Sequence, residues 1–223
     1  MAKQYETVIG LEVHIELATN SKIFCSCSAK FGGEQNDHVC PACCGMPGML
    51  PVVNKSVVDY GMKAGMMLNC HINRTTTFDK KSYYYPDLPA AYQTTQWFAP
   101  VAVNGLVEIE TSKGKKNIRI KQIHMEEDAG KLVHSGNSSY VDFNRTSVPL
   151  IEIVTQPDFR SAEEVVTYLN KLKSMSRSGG ISECEEGAMR CDVNISVRPE
   201  GSDQFGVRSE IKNMSSFAEI KDA

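Results

Sequence analysis

The chain has 223 residues, of which 41% are hydrophobic and 23% charged, and its formal net charge is −3. This composition is typical of a soluble globular protein with a sizeable core, and the negative charge argues against a broadly basic protein that wraps nucleic acid. The first residues lack the apolar core of a signal peptide, and no apolar run approaches the roughly 20 residues of a membrane-spanning helix, so we expect a cytoplasmic protein without a membrane partner.

The first clear pattern is an alternation of apolar and polar residues over Val8–Leu17. Side chains in a strand face opposite sides in turn, so the polar face of this predicted strand carries Glu12, His14 and Glu16. Carboxylate oxygens and imidazole nitrogen suit Mg²⁺, Mn²⁺ or Zn²⁺. A strand with a merely hydrated polar face gives the same pattern, and this stretch alone favours that simpler interpretation.

Eight cysteines in a cytosolic chain indicate metal ligands or reduced thiols rather than disulfides. Two closely spaced pairs predict a four-thiolate zinc site: Cys25, Cys27, Cys40 and Cys43. Cys44 and His38 are alternative ligands. Reduced cysteines without metal, or redox exchange at Cys40 and Cys43, are the competing interpretations. A closed thiolate site of this kind stabilises a loop and does not catalyse.

A helix is expected to begin after Asn54, its N-cap. The segment Thr77–Gln96 is aromatic, basic and interrupted by prolines, which predicts a loop. Its lysines and tyrosines are suited to hold phosphate and stack a base, although a plain surface loop explains them equally well.

Leu106–Thr111 and Asn117–Ile123 predict a hairpin. Its second strand runs into His124 to Asp128, where four of the five side chains are potential metal ligands. If that strand stays extended, His124, Glu126 and Asp128 share one face and Glu127 lies on the other. The apolar phase shifts between Ile120 and Ile123, which predicts a bulge.

Ser147–Thr155 is mostly apolar and is therefore expected to be a central strand, and Ser161 to Glu164 is a capping box that predicts the next helix. Two further strands, Ala188–Val197 and Gly206–Asn213, follow, and a helix is expected to start at Phe217. The first of these strands carries Arg190, Asp192 and Asn194 on one face. Three polar strand faces in one small domain suggest the floor of an active site.

These stretches together resemble the N-terminal catalytic domain of the B subunit of the aspartyl/glutamyl-tRNA amidotransferases. The motifs that carry the resemblance run along nearly the whole chain: Ile9–His14, the two cysteine pairs, Gly45–Pro51, Tyr83–Asp87, His124–Lys131, Val148–Val154, Glu185–Gly187 and Arg190–Asp192. The resemblance implies an α+β fold with a largely antiparallel sheet, helices on one side, a cradle like that of glutamine synthetase and an inserted zinc loop.

The resemblance also implies an activity. Such a subunit uses ATP to phosphorylate the misacylated Glu or Asp on tRNA, and ammonia from an amidase partner then displaces the phosphate. The implied cofactors are ATP, Mg²⁺ and Zn²⁺, and the implied partners are misacylated tRNA, the amidase (glutaminase) A subunit, and the small C subunit. Carried over by position, Glu12, His14 and Glu127 are expected to bind Mg²⁺, with Glu126 and Asp192 close to the chemistry. Contacts to ATP or the acyl phosphate are expected from four further residues: Lys80, Tyr85, Arg145 and Arg190.

By the same resemblance, residues 1–223 form one catalytic domain with the zinc loop at about 24–48. Residues 214–223 are then the truncated start of a following helical region. The sequence has no P-loop, so a nucleotide must be held through metal and basic side chains. Ser135–Ser139 is too short for an amidase nucleophile segment. A zinc-dependent RNA-binding or assembly module without its own catalysis is the alternative function.

Overall fold

The computed structural model describes residues 4–185, 187–214 and 216–222. Seven strands form one antiparallel sheet in the order β11-β10-β1-β9-β6-β5-β2. The strands are β1 (Tyr5–Glu16), β2 (His71–Ile72), β5 (Ala102–Thr111), β6 (Gly114–Glu127), β9 (Pro149–Thr155), β10 (Met189–Pro199) and β11 (Ser209–Met214). The predicted α+β class with a largely antiparallel sheet is confirmed, and β9, the strand expected to be central, lies in the middle of the seven.

Two small hairpins lie outside this sheet: β3 (Asp79–Ser82) pairs with β4 (Tyr92–Thr95), and β7 (Lys131–Ser135) pairs with β8 (Ser138–Asp142). The prediction of a loop throughout Thr77–Gln96 was therefore wrong at both ends. The strands β3 and β4 have four residues each, too few for a clear alternation, and both prolines lie in the connection between them.

The helices are α1 (Lys55–Met67), α2 (Ala162–Ser178) and the short α3 (Phe217–Asp222). Both predicted caps are confirmed: the Asn54 side chain accepts a hydrogen bond from the Ser56 N–H, and the Ser161 hydroxyl accepts one from the Glu164 N–H. No helix in the described ranges is long and apolar enough to cross a membrane.

The helices α1 and α2 cover the apolar face of the sheet. Gly61 of α1 lies against Met125 of β6, and Tyr168 of α2 is fully buried against Phe159. This confirms the prediction that the helices lie on one side. The polar face of the central strands is left for other contacts, and the candidate site is found there.

A bulge in β6 decides which side chains reach that polar face. The pairing of β6 with β9 shifts register between Ile120 and Gln122, as the phase of the sequence predicted. Asn104 lies on β5, opposite the extra residue of β6, and its φ of 57° is in the left-handed region. After the bulge, Ile123 and Met125 are buried towards the helices, so His124 and Glu126 face the other way.

We expect Gly105→Ala to destabilise the fold by about 1–3 kcal/mol, the usual range for overpacking a core. A Cβ atom at Gly105 would lie 2.6 Å from the Leu68 carbonyl oxygen and 3.0 Å from Ile120 Cβ, contacts that the backbone cannot easily relieve. The matched control is Gly10→Ala in β1, where the new Cβ would meet nothing closer than Pro157 at 3.6 Å. Urea denaturation should separate the two variants; equal midpoints would contradict the packing described here.

Candidate functional site

The polar face of the sheet places side chains from four adjacent strands in one row. The Cα register pairs Arg190 of β10 with His14 of β1, His14 with Glu152 of β9, and Glu152 with His124 of β6. Side chains at paired positions on one face are about 4.5–5.5 Å apart at Cβ. The antiparallel register therefore brings together groups that are up to 176 positions apart in the chain.

His14, Glu126 and Glu152 form the first group suited to hold a cation. Ligand atoms of all three lie within 4.8 Å of one another, and His14 Nε2 is 3.4 Å from Glu126 Oε1. The Thr95 hydroxyl donates to Glu126 Oε2 at 3.1 Å, which fixes the orientation of this buried carboxylate. One imidazole nitrogen and two carboxylates are a donor set for a hard or borderline divalent ion.

The protonation states of this group follow from its burial and its charges. Burial disfavours the imidazolium of His14, but the hydrogen bond and negative charge of Glu126, helped by Glu152, outweigh it and raise the pKa to about 9. Burial and the neighbouring Glu126 raise the pKa of Glu152 to about 7, and burial lowers the pKa of His124 to about 4. Protonated His14 thus offsets the charge of one carboxylate, and a divalent cation bound there would displace that proton.

A second group lies one step further along the same face. Ligand atoms of Glu12, Asp192 and Glu210 lie within 4.8 Å of one another. Glu12 and Asp192 are paired across β1 and β10, and Asn194 Nδ2 donates to Glu12 Oε1 at 2.9 Å. The predicted site residues Glu12 and His14 therefore belong to two neighbouring groups rather than one.

Glu127 is the predicted magnesium ligand that the structure places elsewhere. It follows Glu126 on an extended strand and so points to the opposite face, where its carboxylate accepts from the Thr94 N–H at 2.8 Å and the Ser147 hydroxyl at 2.7 Å. Within the described ranges, no group of close ligand atoms includes Glu127. The predicted trio of Glu12, His14 and Glu127 is not the set that the fold assembles, because strand alternation brings Glu126 to His14 instead.

Two guanidinium groups border the carboxylates. Arg190 Nη2 lies 2.6 Å from Asp128 Oδ2, and Arg145 Nε lies 3.7 Å from the same oxygen. Arg145 also donates to the carbonyl oxygens of Ala129 and Gly130 at 2.9 Å each. The buried Asp128 therefore orients both predicted cofactor-binding arginines towards the polar face.

These groups line one open cleft of about 670 Å³. Its lining includes both acidic groups except Glu210, both arginines, and Lys81, Tyr83, Asp87, Gln93, Asp128 and Lys212. Lys80 and Tyr85 were expected here, but they are not among the lining residues: Lys80 Nζ lies 4.4 Å from the centre of the Tyr92 ring, and Tyr85 stacks on Tyr83. The alternation of β3 turns Lys81 rather than Lys80 towards the cleft.

The four predicted zinc ligands converge on the loop between β1 and α1. The Sγ atoms of Cys25, Cys27, Cys40 and Cys43 all lie within 4.8 Å of one another, and those of Cys40 and Cys43 are 3.9 Å apart. Tetrahedral zinc with Zn–S bonds of about 2.3 Å places its sulfur atoms roughly 3.8 Å apart, so the arrangement fits the ion. A hydrogen bond from Cys25 and the nearby Lys22 ammonium contribute to a pKa of about 4 at Cys43, while burial raises that of Cys27 to about 11.

Sequence reasoning missed three residues of the site: Glu152, Asp128 and Glu210. Glu210 lies on β11, and its approach to Glu12 and Asp192 depends on the order of the strands in the sheet. Glu152 interrupts the apolar run of β9, and a single carboxylate inside a central strand was the signal available. Asp128 was placed on the correct face but was given no role, because its arginine partner lies 62 positions away in the chain.

Comparison with known proteins gives a consistent result. Residues 7–223 match the family described as the GatB/GatE catalytic domain. The B subunit of the aspartyl/glutamyl-tRNA(Asn/Gln) amidotransferase of Carboxydothermus hydrogenoformans is 58% identical over 228 aligned positions, which cover 99% of this chain and 47% of that protein. The subunits of the same name from Clostridium botulinum strain 657 and Agathobacter rectalis are 57% identical over 222 and 225 positions, 98% and 99% of this chain and 47% of each relative.

The chain thus spans about half the length of the curated relatives it matches. The match extends over almost the entire described sheet and includes every strand that contributes to the cleft. On this evidence, the chain belongs to the GatB/GatE catalytic domain family.

Proposed function

We propose that the cleft activates the misacylated Glu of Glu-tRNA(Gln) or Asp of Asp-tRNA(Asn) by ATP-dependent phosphorylation. Ammonia then converts the activated group to the amide. By this proposal the chain is the catalytic part of one member of a heterotrimer, whose other members are an amidase A subunit, which supplies ammonia from glutamine, and a small C subunit. The relatives named above carry the name of the amidotransferase B subunit, which supports this assignment.

One observation carries the proposal: a single cleft holds two carboxylate-rich groups and, beside them, at least three cationic side chains. A carboxylate reacts poorly with ammonia because oxide is a poor leaving group, whereas phosphate is a good one. Phosphoryl transfer requires neutralisation of charge on the transferred group by cations. The cleft offers both kinds of residue that this chemistry needs, ligands for a metal ion and positive charges for a phosphate.

The residues divide into roles by their chemistry. The first acidic group, His14, Glu126 and Glu152, would hold one Mg²⁺, and the second, Glu12, Asp192 and Glu210, is suited to another. Bound Mg²⁺ supplies neutralisation of phosphate charge. Arg145 and Arg190, fixed by Asp128, present guanidinium groups that match phosphate oxygens, and Lys81, which also lines the cleft, adds a point charge.

The alternative, a zinc-dependent RNA-binding or assembly module, also has an observation in its favour. Tyr83, Tyr84 and Tyr85 are 49%, 84% and 48% exposed, and exposed aromatic rings beside lysines are suited to stack nucleic-acid bases. That module would bind tRNA without binding a nucleotide. The two functions therefore differ in one measurable property, the affinity for magnesium–nucleotide.

Calorimetric titration with a non-hydrolysable ATP analogue and Mg²⁺ tests the proposal. We expect Lys81→Met to weaken binding about tenfold, as a charge-assisted hydrogen bond of roughly 1.5 kcal/mol would predict. Lys80→Met is the matched control, since its ammonium lies over the Tyr92 ring, and its affinity should stay within about twofold. A chain that binds tRNA but not the analogue at millimolar concentration would favour the alternative.

A further inference from the structure

Lys22 is a fully buried lysine next to the four cysteines, with an exposed fraction of 0%. Its ammonium donates to the carbonyl oxygens of His38 at 2.6 Å and Phe143 at 3.1 Å, and to Cys43 Sγ at 3.6 Å. An ammonium has three N–H donors, so each of them has one acceptor. Such complete pairing is needed for a charged group that has lost all contact with water.

Among the residues that the structure describes, no carboxylate balances the charge of Lys22. Within the described part of the chain, no ion pair joins Lys22 to an aspartate or glutamate. A buried charge without a counter-charge is strongly unfavourable. The sulfur of Cys43 is the one acceptor of the three that becomes anionic, and it does so when it is a thiolate ligand.

We propose that Lys22 is the counter-charge of a four-thiolate zinc site and a hydrogen-bond donor to its ligand Cys43. Four thiolates around Zn²⁺ carry a net charge of −2, and a buried ammonium reduces that to −1. Outer groups that donate to metal ligands orient them and tune the affinity for the metal. The spacing of the cysteines does not reveal this residue, because Lys22 lies outside both pairs, three positions before the first cysteine.

The same ammonium also joins the zinc loop to the candidate site. Its bond to the Phe143 carbonyl reaches the segment that carries Arg145 two residues later. A second hydrogen bond connects the same two segments: the His38 N–H donates to Asn144 Oδ1 at 2.8 Å. Lys22 is therefore a positioning residue: it contacts no cleft group itself and acts through Phe143 and Cys43.

The test is Lys22→Met in the full 223-residue chain, which keeps the volume of the side chain and removes its charge. Competition with a chromogenic chelator should show zinc affinity reduced by roughly 10–100-fold. In the Co²⁺-substituted protein, the thiolate-to-cobalt charge-transfer bands should move to longer wavelength, because a sulfur without its N–H donor is oxidised more easily. A purely structural role would leave that spectrum unchanged.

Lys30→Met is the matched control, since Lys30 lies in the same loop but is exposed. We expect both zinc affinity and the cobalt spectrum of this variant to match those of the unmodified chain. If Lys22→Met also matches on both measurements, or if the unmodified chain binds no zinc, the proposal is overturned.

Should Lys22→Met fail to fold, the unmodified chain can be studied by NMR with ¹⁵N-labelled lysine and ¹¹³Cd in place of zinc. A slowly exchanging ammonium signal with scalar coupling to ¹¹³Cd through the N–H···S bond is the expected result. An ammonium that exchanges rapidly and shows no coupling would overturn the proposal in this form of the experiment.

Discussion

Glu126→Gln is expected to weaken Mn²⁺ binding in the cleft by more than about 100-fold. Outer-shell partners of a metal are already worth roughly 10–100-fold, and by our proposal Glu126 is a direct ligand together with His14 and Glu152. The glutamine keeps an oxygen that can accept from the Thr95 hydroxyl, so the local packing is retained. Electron paramagnetic resonance of Mn²⁺ titrated with the protein measures the change directly.

Glu127→Gln is the sharpest control for this result, because it alters the next residue on the opposite face of the same strand. Its Thr94 N–H bond survives, and the Ser147 hydroxyl can accept from the new amide instead of donating to a carboxylate. Mn²⁺ affinity should stay within about twofold of the unmodified chain. Loss of Mn²⁺ binding in Glu127→Gln with retention in Glu126→Gln would reverse the assignment of ligands.

Loss of zinc is expected to have the second large effect, and Cys40→Ser is the variant that produces it. Backbone amides around the cysteines, such as Cys44 and Gly45, should exchange hydrogen at least about 100-fold faster. That factor corresponds to ~2.8 kcal/mol, a small part of the roughly 10–16 kcal/mol with which zinc stabilises small zinc-binding peptides. Because Lys22 and His38 tie the loop to residues 143–145, those residues should also lose protection.

Cys44→Ser provides the comparison, since Cys44 adjoins the four proposed zinc ligands but is not in their group. It should retain one zinc per chain by elemental analysis and show an unchanged exchange pattern. Zinc content that falls with Cys44→Ser and not with Cys40→Ser would contradict the ligand set. Protection at residues 143–145 that survives zinc loss would contradict the coupling between loop and cleft.

The sequence was sufficient to predict those features that depend on local spacing. The bulge after Ile120, the cap at Ser161 and the convergence of the cysteine pairs all follow from residues close together in the chain. The facing of Glu126 and Glu127 was also predicted from strand alternation. The resemblance instead implied Glu127 as the metal ligand, whereas the fold brings Glu126 rather than Glu127 beside His14.

Side-chain contacts between residues far apart in the chain could not be predicted from local sequence patterns. The contact of Asp128 with Arg190 and that of Lys22 with Phe143 depend on strand register and loop packing, which no local pattern encodes. Glu152 lies in a strand that was identified, yet its partners come from β1 and β6. The short strands β3 and β4 were missed because four residues give too little alternation to distinguish Lys80 from Lys81.

The bulge of β6 makes the effect of a deletion depend on its position in the strand. Without Lys121, Gln122 would still lie opposite Val154 and Ile123 opposite Ile153, so the strand would alternate regularly against β9 and the ligand-bearing side chains would keep their side. Side-chain direction reverses with each step along a strand, so removal of Ile123 instead would turn His124 and Glu126 under α1 and bring Met125 into the cleft. Loss of one codon beyond the bulge would therefore exchange the hydrophobic interior for the ligand-bearing surface, whereas loss of the bulge residue would not.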